Sequence, residues 1–310
     1  AMPSSRAARL CPDAIFLRPR FDAYREVSRQ INNVFRQYTS LIEPLSLDEA
    51  FLDVTQYAAR HGSATEAAMQ IKSQIKQELD LTASAGVSYN KFLAKIASDM
   101  EKPDGLYVIR PEAAEQFIEQ LEIRKFFGVG RVTEQKMHAL GIYRGADLKR
   151  LSKIQLQTHF GQSGGYYYNI ARGIDERPVK AHRQRKSIGS ETTFASNTRS
   201  KKQIWETLRR LAMSVATALE KKKLVARTVT LKVRYADFKL ITRSKTRRQP
   251  AQSLAEILLV LPELLKKTEV GTRPIRLIGI TLASLQPETP LPEAQSLPGE
   301  VRESRQLGLF

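Results

Sequence analysis

Apolar residues recur between Phe21 and Thr39 at three- and four-residue steps: Phe21, Tyr24, Val27, Ile31, Val34, Phe35 and Tyr38. That spacing lines one face of a helix. IEPLS (42–46) and EAFLDV (49–54) read as short strands, GSATEAAMQIKSQIKQELDL (62–81) as an amphipathic helix, and TASAGVS (82–88) as a strand of small residues. A helix over 90–100, a KPDG turn (102–105) and a strand over 106–110 complete a mixed α/β layer. Residues 111–175 read as helical and glycine-punctuated, and 176–186, polar and basic with one proline, as a linker. From 187 the pattern becomes strand, helix (201–223), strand (226–236), strand (239–247), helix (252–267), strand (274–284). That order, β-α-β-β-α-β, is the split βαβ arrangement. In TVTLKVRY, alternation puts Val229, Leu231, Val233 and Tyr235 on one face and Thr228, Thr230, Lys232 and Arg234 on the other. The expected sheet therefore has an apolar face for helices and a basic face for phosphates. After Gln286 the chain becomes Pro-rich, reads as a disordered spacer, and ends in RQLGLF.

Charge sharpens this division. The 310 residues carry 50 Lys and Arg against 32 Asp and Glu, a net of +18. Between Lys180 and Pro250 there are 20 basic and 4 acidic residues, whereas the rest of the chain holds 30 and 28. One strongly basic module is attached to a nearly neutral body, a distribution that points to a polyanion such as nucleic acid. Cys11 is the one cysteine, which excludes an intrachain disulfide and a cysteine-based zinc site and fits a reducing, cytoplasmic compartment. The most apolar segment, LAEILLVLPELL (254–265), is too short to span a bilayer. No membrane partner is expected, and a monomer is.

The candidate chemistry lies in SLDEAFLDV (46–54), where Asp48 and Glu49 stand side by side in an apolar run. In a flat strand they would point to opposite faces. A hairpin turning around Leu47 and Asp48 instead brings both to its tip. Two close carboxylates repel, and a divalent cation removes that penalty. Mg²⁺ takes hard oxygen donors, commonly one or two carboxylates with substrate phosphates. The dipeptide alone is a weak signal for metal, since an exposed Asp-Glu turn is commonplace. Asp53 is roughly 13 Å along the strand and reads as structural. A two-metal centre for nucleotidyl transfer usually takes a third carboxylate, and no candidate for it is found in the sequence.

SLDEAFLDV, TASAGVSYNKFLAKIASDMEKPDG (82–105) and RKSIGSETTF (185–194), in this order, resemble the Y-family DNA polymerases of the bacterial DinB, or DNA polymerase IV, type. The resemblance runs over about residues 1–285. It implies an α+β multidomain fold with a mixed α/β palm, a small helix-hairpin-helix thumb and a split βαβ little finger. The implied domains are a remnant of fingers (1–18), a catalytic palm (19–110), a thumb (111–175), a linker (176–186), a DNA-binding little finger (187–286) and a tail (287–310). By the same resemblance Asp48 and Glu49 match two of three catalytic, metal-binding carboxylates. The third belongs to a part of the family pattern, with the steric gate against ribonucleotides, that is expected to precede Ala1. Two Mg²⁺ ions are implied in a complete active site, and Lys102 of EKPDG matches the lysine on the incoming triphosphate.

FFGVGRVTEQKMHALGI (126–142) resembles a helix-hairpin-helix unit in which Gly128 and Gly130 expose backbone N–H groups to DNA phosphates. Tyr166, Tyr167 and Tyr168 read as packing residues with base stacking as the alternative. In the basic module Arg185, Lys186, Lys232 and Arg234 are the expected DNA-backbone contacts. Gln306, Leu307, Leu309 and Phe310 match the bacterial sliding-clamp-binding pattern QLxLF, with the Pro-rich spacer giving reach.

The expected function is low-fidelity, template-directed DNA synthesis across damaged DNA, transferring nucleotides from dNTPs to a primer 3′-OH on primer-template DNA. The alternative is a non-catalytic DNA- and clamp-binding fragment, because one catalytic Asp is not found here. On that account primer extension by this chain is expected to be weak or absent, with duplex binding retained. A metal-dependent nuclease would need more acidic or His ligands than the sequence offers.

Overall fold

A short exposed helix, α1 (Ser4–Leu10), is followed by an exposed extended stretch and then by α2 (Phe21–Arg36). The computed structural model describes residues 2–182 and 184–288, and the chain divides into two units between Arg183 and Gln184. The C-terminal residues Gln306, Leu307, Leu309 and Phe310 lie outside the described residues.

In the first unit, β1 (Ile42–Pro44) and β2 (Ala50–Leu52) form an antiparallel hairpin. Helices α3 (Thr55–His61) and α4 (Ala64–Leu79) follow. Pattern reading assigned nothing to α3, a seven-residue helix too short to show a period; Asp53 Oδ1 accepts from Thr55 N at its start (3.0 Å). Strand β3 (Ala85–Val87) pairs in parallel with β4 (Leu106–Val108), and α5 (Lys91–Met100) crosses between them. Small residues in β3 have a steric cause: a Cβ on Gly86 would stand 2.1 Å from Ala94 O, because the α5 backbone lies directly on the strand. Asn90 caps α5, its side chain accepting from Leu93 N (3.0 Å).

Helices α6 (Pro111–Gln120), α7 (Arg131–Ala139), α8 (Gly145–Arg150), α9 (Lys153–Phe160) and α10 (Ser163–Ile170) complete the unit. Phe92, Leu93, Ile96 and Ala97 of α5 share one core with Ile118, Phe126, Met137, Leu148, Leu156 and Ile170. Packing therefore runs without a break across residue 110, where a palm–thumb boundary was expected, because α5 turns its apolar face to the helices that follow.

The expected linker 176–186 is only partly free chain. The Arg177 guanidinium donates to both oxygens of Asp175 (2.6 and 2.8 Å), and Asp175 Oδ2 also accepts from Phe92 N (3.0 Å). Pro178 O accepts from Lys91 Nζ (3.0 Å), and Lys180 N donates to Glu43 Oε2 (2.9 Å). Polar composition alone does not register such fastenings to the body.

In the second unit, β5 (Ser187–Thr198), α11 (Lys201–Glu220), β6 (Leu224–Tyr235), β7 (Leu240–Ala251), α12 (Leu254–Lys266) and β8 (Ile275–Pro287) follow the expected order. The sheet runs β5-β8-β6-β7 with every neighbouring pair antiparallel. β5 and β6 are therefore parallel with β8 between them, and β7 and β8 are parallel with β6 between them: two interlocked split βαβ units. Val229, Leu231, Val233 and Tyr235 are fully buried with Leu208, Leu211, Val215, Ile257, Leu261 and Leu264 of the two helices.

Candidate active site and nucleic-acid interface

The hairpin register Ile42↔Leu52, Glu43↔Phe51, Pro44↔Ala50 leaves a tight loop, closed by Leu45 N donating to Glu49 O (2.8 Å) and Ser46 N to the same oxygen (3.3 Å). Asp48 and Glu49 both sit at this tip and are exposed. The Ser46 hydroxyl donates to Asp48 Oδ1 (2.5 Å) while accepting from Asp48 N (3.3 Å), which fixes the loop from within. Glu49 Oε1 pairs with Lys95 Nζ of α5 (3.2 Å). Behind the tip the hairpin is anchored by Lys91, a buried lysine whose ammonium binds Glu43 Oε2 (2.7 Å) and stands over the Phe51 ring (5.4 Å). Burial works against ionisation of Glu43, but the hydrogen bonds from Lys91 and Lys180 N prevail and hold its carboxyl below the usual range.

Lys95 continues the ionic chain. It also binds Asp99 Oδ2 (3.1 Å), and Asp99 Oδ1 binds Lys102 Nζ (2.6 Å). Glu49 and Lys102, singled out separately in the sequence, are thus the two ends of one relay. Desolvation opposes the charge on Asp99, yet the Lys102 and Lys95 hydrogen bonds lower its titration; for Lys95 the two carboxylates raise it against the same desolvation. Sequence reading missed Lys95 and Asp99. Their i, i+4 spacing on a predicted helix was the available signal. Asp104, an added negative charge beside Lys102, is engaged elsewhere: Lys72 Nζ pairs with its carboxylate (3.2 Å) and with its backbone oxygen (2.5 Å).

Among the described residues no group of three or more His, Cys, Asp or Glu side chains is arranged to hold a metal ion. The two tip carboxylates are accessible hard-oxygen donors on adjacent residues of one loop. They fit a cation that takes its remaining ligands from phosphate and water.

Gly128 has φ +95°, open to glycine at little cost, and a Cβ there would make ordinary van der Waals contact with the Tyr166 ring at 3.4 Å, so the strain on any other residue would lie in the backbone. Tyr166 Oη donates to Phe127 O (3.0 Å), and Val129 N closes the turn on Phe126 O (2.9 Å). Gly130, the N-cap of α7, has an ordinary φ of −88° and, among the described residues, no atom within 4 Å of where a Cβ would stand. Among the described residues no side chain caps α7, a helix start whose first amides could take an acceptor. The tyrosines pack: Tyr167 is buried, and Arg172 stacks on Tyr168 at 3.6 Å.

In the second unit, Arg185 and Lys186 are exposed just ahead of β5. The sheet face away from the helices corrects the expected basic face. Its rows, read from the register, are Ser187–Ala283–Thr228–Thr246, Gly189–Thr281–Thr230–Ser244, Glu191–Gly279–Lys232–Thr242 and Thr193–Leu277–Arg234–Leu240. Short hydroxyls and glycine dominate, with two cations. Lys232 pairs with Glu191 Oε2 (2.7 Å) across the side-chain-free Gly279, while Arg234 has no ion pair among the described residues. Much of the positive charge lies on the helix side instead: Lys245 pairs with Glu263, and Arg247 approaches Glu256 (4.0 Å).

Three sequence profiles match these parts. The impB/mucB/samB family matches residues 1–99, its C-terminal domain residues 185–296, and the DNA polymerase-iota thumb domain residues 125–175. The DNA polymerase IV of Alkalilimnicola ehrlichii is 53% identical over 310 residues, covering 100% of this chain and 84% of that protein. The DNA polymerase IV of Desulfotalea psychrophila is 50% identical over 285 residues, 92% of this chain and 76% of that one. Among solved structures, a Y-family DNA polymerase chimera of Dbh and Dpo4 superposes with a TM-score of 0.84 at 30% identity, covering 92% of this chain and 83% of that chain. An insertion ternary complex of Dbh DNA polymerase gives 0.63 at 28%, over 91% and 82%. The chain belongs to the Y family of DNA polymerases, in its DNA polymerase IV group.

Proposed function

We propose that this chain performs low-fidelity, template-directed DNA synthesis across damaged templates, joining dNTPs to a primer 3′-OH. DNA-directed DNA polymerase activity follows from the family. The observation that carries the proposal is the relay of ion pairs from Glu49 to Lys102, which unites a carboxylate tip with a lysine suited to a triphosphate. Asp48 and Glu49 would hold Mg²⁺, two ions serving the full site. When bound, such ions supply Lewis-acid activation of the attacking oxygen and neutralise charge on the leaving phosphates. Lys102 binds the triphosphate as a point charge. Gly128 shapes the thumb turn, and Gly130 leaves the α7 amides open to the duplex backbone. Arg185, Lys186, Lys232 and Arg234 contribute further phosphate contacts. The hydroxyl face lets a backbone of any sequence approach closely, in keeping with a binder that positions without reading bases.

Primer-template DNA and dNTPs are the substrates, the chain acts as a monomer in the cytoplasm, and the QLGLF terminus docks on the bacterial sliding clamp. No helix among the described residues is long and apolar enough to cross a membrane.

A primer-template assay with Mg²⁺ tests this. The templated dNTP, and not the other three, is expected to stabilise the DNA complex, with Asp48→Asn and Glu49→Gln abolishing that discrimination, while primer extension by this chain stays weak or absent for want of a third carboxylate among the described residues. The lack of a three-carboxylate group among the described residues favours one rival, a non-catalytic DNA- and clamp-binding protein. Salt-sensitive duplex binding indifferent to dNTP would establish that rival. Primer shortening would indicate a nuclease.

A further inference from the structure

Lys95 lies between two carboxylates at nearly equal distance, Glu49 Oε1 at 3.2 Å and Asp99 Oδ2 at 3.1 Å. The other oxygen of Asp99 is taken by Lys102 at 2.6 Å. Of the four side chains Lys95 is the least accessible, 16% exposed, while Glu49, Asp99 and Lys102 are 42, 51 and 53% exposed. Charges alternate along this chain, so removing one link changes the pull on the next.

We propose that Lys95 is a positioning residue that couples nucleotide binding to metal binding: when Lys102 leaves Asp99 for a triphosphate, Lys95 shifts onto Asp99 and releases the Glu49 carboxylate to the divalent cation. This rests on the assignment of Asp48 and Glu49 as the metal pair and Lys102 as the phosphate lysine. Before nucleotide arrives, the ammonium competes with the cation for Glu49. After Lys102 departs, Asp99 has one cation left, and its attraction for Lys95 is no longer shared. Coupling of this kind is reciprocal: the cation, by displacing Lys95 toward Asp99, also loosens Lys102 for phosphate. A simple brace makes the opposite prediction, since a loosened hairpin would hold metal less well.

The test is Mn²⁺ binding to the chain without nucleotide, followed by the electron paramagnetic resonance signal of free Mn²⁺. Lys95→Met removes the competitor and is expected to tighten binding roughly two- to fivefold, the range of one partly exposed ion pair. Asp99→Asn leaves Lys95 wholly on Glu49 and is expected to weaken binding by a similar factor, without altering any residue at the hairpin tip. In Lys95→Met/Asp99→Asn the effect of the second change vanishes. Lys102→Met tightens binding, because Asp99 then draws Lys95 alone. Weaker or unchanged binding in Lys95→Met, or an Asp99→Asn effect that survives loss of Lys95, overturns the proposal. Wild-type binding that Glu49→Gln does not reduce would sink the metal assignment itself, and the coupling with it. Wild-type binding that Glu49→Gln abolishes but Lys95→Met leaves unchanged would sink the coupling alone.

Discussion

The ring of Phe127, in the glycine turn of the thumb, meets the ring of Phe51 edge-on, with centroids 6.4 Å apart and planes at 80°. Phe51 belongs to β2, two residues beyond Glu49, so the glycine turn and the carboxylate tip, proposed above to meet DNA and metal, lean on one aromatic contact. Truncating Phe51, buried at 8% exposure, to Ala should cost about 3 kcal/mol. The Phe51/Phe127 double-mutant cycle in urea should give a coupling of about 0.5–1.5 kcal/mol. Additive losses would show that the two elements stand independently.

Gly128 and Gly130 separate shape from contact. Gly128→Ala forces a side chain into positive φ and should destabilise the protein by about 1–2 kcal/mol. Gly130→Ala meets no obstacle among the described residues and should stabilise the protein slightly, by about 0.4–1 kcal/mol. It should nonetheless weaken duplex binding, measured by fluorescence anisotropy, because the phosphate contact proposed at the α7 amides leaves no room for the added methyl. Unchanged DNA affinity in Gly130→Ala would remove this turn from the interface.

Asp175 supplies a pH signature. Its side chain is 2% exposed. Burial alone would raise its titration, but hydrogen bonds from Arg177 and from Phe92 N lower it. A folded-state value below the unfolded one, about 3.9, means stability that is full above that value and fades as pH falls through the depressed one. Denaturant midpoints of Asp175→Asn should therefore fall below wild type at neutral pH and converge with it in acid. Parallel curves across that window would show that the carboxylate carries no such linkage.

Glu191 restrains Lys232. Glu191→Gln should free the ammonium for phosphate, tightening duplex binding and steepening its logarithmic salt dependence by up to about one, the increment for a single phosphate contact. Adding Lys232→Met should abolish the gain. Equal tightening without Lys232 would mean that Glu191 repels DNA directly.

Much of the second unit was legible in sequence because long strands and helices with clear periods set their own faces: Val229 through Tyr235 alternate inward as read. What alternation could not supply was the neighbour. That Thr228 stands beside Thr246, and Lys232 across Gly279 from Glu191, depends on a register fixed by strands distant in the chain. The tip position of Asp48 and Glu49 followed from one short local turn. Lys91 gave no sign of its role, since its partner Glu43 is 48 residues away. Lys95 and Asp99 showed their mutual spacing, but not the carboxylate across from them.

Strand β8, made last among the sheet's strands, lies inside the sheet and pairs with both β5 and β6. During synthesis on the ribosome, β5 therefore waits without a strand partner while β6 and β7 form a hairpin with one interior edge bare. The domain closes only when its final segment threads between them, so nascent chains are most open to mispairing just before Ile275–Pro287 emerges.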